Sequence, residues 1–116
     1  DGLVTGVQTC ALPIYLFYSQ PEPSPVMSPE ARTRHLHEAF RAVQYIRCRE
    51  DYAQACQVML RSPLTAVYRP SRVFMAKALL MCGEFAAAWS WISDLEPETN
   101  EERLLKDYAR TEGTPQ

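Results

Sequence analysis

The sequence predicts an all-α protein of about five helices, folded as antiparallel helical hairpins stacked into a short array. Three observations predict it. Apolar residues recur at three- and four-residue spacing in five separate stretches, the period of one helix face. Prolines, glycines and capping residues fall between those stretches. No stretch alternates apolar and polar residues between hairpin-turn signals, so nothing argues for a sheet.

Each element follows from its residues. Four prolines between Gln20 and Pro29 make residues 15–28 an extended, Pro-rich linker. Ser28, Pro29 and Glu30 then start a helix: a hydroxyl cap, a ring that suits the first turn, and an acid at the positive end of the dipole. Leu36, Ala39, Phe40, Val43 and Ile46 are its expected inward face. "CREDY" breaks the pattern, and Tyr52, Ala55, Cys56 and Met59 form the face of a second helix. "RSPLTAVYRPS" is a loop bracketed by Pro63 and Pro70. A third helix turns Val73, Ala76, Leu79 and Leu80 inward and stops at Gly83. The fourth presents Phe85, Ala88, Trp89, Ile92 and Leu95 before Pro97 closes it. Asn100, with Glu101 and Glu102, caps a last helix around Leu104, Leu105 and Tyr108. The helical domain is expected over 29–110, with 111–116 a disordered tail.

The first residues stand apart. Val4–Ile14, "VTGVQTCALPI", resembles, codon for codon, the translation of the index-side adapter oligonucleotide of short-read sequencing libraries. That resemblance implies that residues 1–14 are adapter-derived and disordered. It also implies that the native chain is the C-terminal part of a larger protein. Such segments are set aside before fold reasoning. Without Asp1 the chain carries 12 basic and 13 acidic residues, a balance that offers nucleic acid no electrostatic attraction. Cys48, Cys56 and Cys82 remain, an odd number without C-x-x-C spacing, which argues against a disulfide framework and a zinc site. Reduced thiols favour a cytoplasmic setting. No apolar run reaches the ~18 residues of a membrane helix, so membrane contact is expected only through a lost upstream region.

Sliding the chain along itself aligns "REDYAQACQVM" with "CGEFAAAWSWI". Tyr52 falls on Phe85, Ala55 on Ala88, Met59 on Ile92, and upstream Val43 on Ala76 and Ile46 on Leu79. The matching positions are the ones that packing between paired helices would select. The offset resembles the period of the tetratricopeptide repeat, with Ala76, Leu79, Gly83, Phe85, Ala88, Ile92 and Leu95 at its small, large, turn and aromatic positions. The first unit carries Glu50 where the turn glycine belongs, and neither unit has the expected tryptophan near its start. The resemblance implies a module for protein–protein interaction. Its partner would be a protein or peptide segment, or the missing N-terminal part of its own chain. It places a groove on the first helix of each unit, at His37, Phe40, Gln44, Arg47, Val73 and Lys77.

Little in the chain carries chemistry. His35 and His37 point roughly 200° apart on a helix, so they form no metal pair and are expected in solvent. No nucleophile motif or phosphate loop is present, and Asp94 and Glu96 read as surface charge. No catalytic residue, metal or cofactor is therefore expected. Trp89 is assigned to the core, and Trp91 to its edge, against the last helix or as a binding anchor. A second resemblance, through Tyr68, Arg69, Leu79, Leu80, Gly83 and Ala88, is to the helical C-terminal tails of bacterial O-antigen polymerases and related glycan ligases. It implies a soluble tail on a membrane enzyme.

Overall fold

Ser28 opens the described part of the chain, residues 28–114 of a computed structural model; the adapter-like stretch and all of the linker before Ser28 lie outside the described residues. The Ser28 hydroxyl accepts the Ala31 amide at 3.1 Å, and helix α1 runs from there, Pro29–Arg49. Glu50 ends it in the left-handed conformation (φ 49°, ψ 35°), where the Glu50 and Asp51 amides donate back to the Ile46 and Tyr45 carbonyls. Asp51 then caps α2 (Tyr52–Leu60), its carboxylate accepting the Gln54 amide at 3.0 Å. A related turn recurs at the aligned positions of the second unit, closed by the Glu84 amide on the Leu79 carbonyl, five residues back where Asp51 reaches six back to Tyr45. Gly83 is left-handed (φ 77°), and Glu84 (φ −90°, ψ 70°) repeats the backbone of Asp51 (φ −95°, ψ 80°). It joins α3 (Arg69–Met81) to α4 (Phe85–Ile92). Helix α5 (Asn100–Gly113) completes the described residues, in which no strand occurs.

Each helix packs on its neighbours in sequence, and α5 also returns to α3. Turns of two or three residues between packed helices force them antiparallel, so α1 with α2 and α3 with α4 are hairpins. Their shared core holds Ala42, Ala55, Cys56, Met59, Met75, Ala76, Leu79, Ala88, Trp91 and Ile92, all essentially without solvent contact. The alanines let backbones approach, and the long side chains fill the space beside them.

Several sequence expectations need correction. The stretch after α2 is no plain loop: Pro63–Ala66 forms a 3-10 helix that buries Leu64, Thr65 and Ala66, with the Thr65 hydroxyl donating to the Met59 carbonyl. Helix α1 is rotated from its expected face. Ala42 and His35 face inward while Leu36, Phe40 and Val43 stay exposed, because His35 is fixed by partners in the next segments. The two tryptophans exchange roles. Trp91 is fully buried and Trp89 only partly, since α4 is covered by both α3 and α5 and buries a wide arc. On α5, Leu104 is exposed and Ala109 takes the inward position. Its cap is Thr99, which accepts the Glu102 amide, rather than Asn100. Nor does the helix stop at 110: Gly113 lies so close to α4 that a Cβ there would stand 2.5 Å from the Phe85 carbonyl oxygen.

The connector after α4 is held by two arginines of α3. Arg72 pairs with Asp94 at 2.6 Å and donates to the Trp91 carbonyl at 3.1 Å. Arg69 donates to the Glu96 carbonyl and pairs with Glu98 and Glu102. These contacts fix α5 across the end of the second hairpin.

Candidate peptide-binding groove

A hollow of mainly apolar lining lies where α1, α2, α3 and α5 meet, with a volume of about 540 Å³. Ile46 reaches it from the end of α1 and Tyr52 from the start of α2. Helix α3 supplies Phe74, Leu80 and Met81, and α5 supplies Leu105 and Tyr108. The register explains the wall: Phe74 and Met81 are two turns apart, so one edge of α3 stays apolar outside its buried arc. Met81 and Tyr108 remain 61% and 53% exposed, a large apolar surface to leave in water. Tyr108 is steadied edge-on by Phe85, with ring centroids 6.1 Å apart.

Lys77 brings a cation to this hollow. It points its ammonium to Glu101 at 2.7 Å, and both side chains are well exposed. The groove therefore offers apolar seats with an exchangeable ion pair beside them. Those features suit capture of apolar side chains from a segment whose own carboxylate can replace Glu101.

Of the six residues assigned to a groove from sequence, only Lys77 lines this one. Val73 is nearly buried and faces Ile92, Leu95 and α5, so it belongs to the core. Phe40 and Arg47 are exposed on a neighbouring stripe of α1. His37 borders a separate hollow with Arg34 and Arg61, and Gln44 another with Arg41 and Tyr45. The structure does not bring the six together. Ile46, Tyr52, Leu105 and Tyr108 were missed as groove residues because each was read as part of a packed helix face, and Phe74 and Met81 because they fall outside the face assigned to α3. The available signal was Phe74 and Met81 standing seven residues apart on α3, an apolar edge outside its assigned inward face.

The polar centre of the fold is elsewhere. His35, 2% exposed, was expected in solvent; instead its Nδ1 lies 2.7 Å from the Ser62 hydroxyl and its Nε2 2.7 Å from that of Ser71. Tyr68 meets the ring edge-on. Burial holds the His35 pKa below its ordinary value. The Glu102 pKa is lowered by the Glu98 amide it accepts and by the Arg69 guanidinium. Among the described residues, no three His, Cys, Asp or Glu side chains gather as metal ligands do, and Cys48, Cys56 and Cys82 form no disulfide. No helix among them is long and apolar enough to cross a membrane. The chain matches no protein-family model, no curated protein and no solved structure.

Proposed function

We propose that this chain is a helical-repeat interaction module of the tetratricopeptide type, which holds a partner segment in the groove and catalyses nothing itself. The observation that carries this reading is the apolar groove itself, drawn from three helices and the start of a fourth, with Lys77 beside it. The repeat assignment is supported by the two turns at aligned positions, where Glu50 adopts the backbone that Gly83 adopts freely. It is supported too by Ala55 with Ala88, and Met59 with Ile92, being buried as matched pairs. The partner is a peptide segment with two or more large apolar side chains and an acidic residue near them.

The test is selection of short random peptides against the full chain. Enriched peptides should carry apolar anchors, and Met81→Asp should weaken their binding at least about tenfold. Lys77→Glu should weaken the acidic ones, while Arg47→Glu, outside the groove, should not. No enrichment, or binding indifferent to Met81→Asp, overturns the reading.

A further inference from the structure

Helix α1 carries a second apolar surface that the groove does not use. Leu36, Phe40 and Val43 lie one above another on α1 and are 40%, 68% and 37% exposed. Their counterparts in the second unit show what such a stripe does in the other hairpin. Val73, the counterpart of Phe40, is nearly buried beneath Ile92, Leu95 and α5, and Ala76, the counterpart of Val43, is wholly buried. The second unit thus covers the middle of its stripe with a following segment, while Arg69, the counterpart of Leu36, is charged and paired with Glu98 and Glu102; α1 leaves three apolar side chains bare among the described residues.

We infer that the stripe is the seat of a segment of this same chain, Tyr15-Leu16-Phe17-Tyr18. Reach, size and composition argue for it. From Ser28, Leu36 lies about 12 Å and Val43 about 22 Å along α1, at ~1.5 Å per residue. The nine residues between, 19–27, carry three prolines and span about 28 Å when extended, enough to double back along the helix. The stripe offers only a few hundred Å², short of the ~800 Å² per partner that a stable pair of copies requires, yet suited to a four-residue segment. Residues 15–18 are uncharged and bulky, an apolar run that the groove reading leaves without a role. Arg32 and Arg47 stand at the two ends of the stripe, each without an ion pair among the described residues, where a tyrosine ring can lie against a guanidinium.

Photo-crosslinking tests the inference on the full chain. p-Benzoylphenylalanine placed at position 40, an exposed site, should form crosslinks that mass spectrometry maps to residues 15–18 of the same molecule, at a yield independent of protein concentration. Crosslinks found only between two molecules, or only to other parts of the chain, overturn the inference. A second measurement guards against a misleading label position. Leu16→Ser with Phe17→Ser should raise the fluorescence of an apolar-surface dye severalfold, and should add nothing once Phe40→Ser is present. Additive effects would sink the proposal. Because Phe40 is no wall of the groove, peptide capture there can fail or succeed without bearing on either result.

Discussion

His35 joins three parts of the chain: α1, the turn before the 3-10 helix at Ser62, and the first turn of α3 at Ser71. A neutral imidazole has one N–H and one lone pair, and a serine hydroxyl can serve either. Both ring nitrogens are therefore satisfied without charge. Removing the ring takes a partner from two nearly buried hydroxyls, of which Ser62 keeps the Leu64 amide, and opens a void, so His35→Ala should destabilise the fold by about 2–3 kcal/mol, read from urea unfolding. The pH dependence has a definite sign. With the folded pKa held below the unfolded value of about 6.5, the unfolded chain binds more protons in that window. The stabilisation from a neutral His35 is thus complete above about 6.5 and declines as pH falls toward the folded pKa. The urea midpoint should drop between pH 7.5 and 5.5, and His35→Gln should flatten that part of the profile. Glu102 acts in a lower window, since its depressed pKa makes stability fall only as carboxylates protonate, so the two can be separated. None of this was legible in the sequence. A histidine in a charged helix start looks solvated until Ser62 and Ser71, far along the chain, are brought to it.

At the level of elements, the two interhelical turns share a left-handed residue at aligned positions, carried by a glutamate in one and a glycine in the other. Gly83 adopts φ 77° at no steric cost, whereas Glu50 at φ 49° bears the crowding of a Cβ against its own peptide. Glu50→Gly should therefore stabilise the chain by about 0.5–1 kcal/mol, after the added freedom of the unfolded state is subtracted. Gly83→Ala should cost a similar amount, about 1 kcal/mol, although a Cβ there meets nothing, because the strain is in the backbone alone. Paired thermal or urea unfolding of the two variants checks both signs, and a destabilised Glu50→Gly would refute the shared turn geometry. The turns were legible because aligned sequence already placed Glu50 over Gly83. The rotation of α1 was not. Its sequence holds two overlapping apolar arcs, one of large residues through Leu36, Phe40 and Val43, the other smaller through Ala39, Ala42 and Ile46. Size favours the first on paper. Close approach of α2 and the His35 hydrogen bonds select the second.

For the whole molecule, the packing of some helices on more neighbours than others makes stability uneven along the chain. Helix α3 is enclosed by α2 on one side and by α4 and α5 on the other, burying Ser71, Val73, Met75, Ala76, Ala78 and Leu79. Helix α1 is longer, yet among its residues only His35 and Ala42 are fully buried. That all-helical order and its hairpins could be read from periodicity and punctuation, which are local. Which face becomes groove, core or bare surface depends on how the helices are rotated about one another. That is settled by contacts between residues distant in sequence, such as Arg69 with Glu102. Amide exchange under native conditions should report the consequence directly. The central amides of α3 should exchange through global unfolding, the slowest of the chain, and those in the first half of α1 should exchange faster by local opening. Uniform protection across α1 and α3 would mean that the chain unfolds as one unit and that its neighbours are more tightly coupled than stacked hairpins allow.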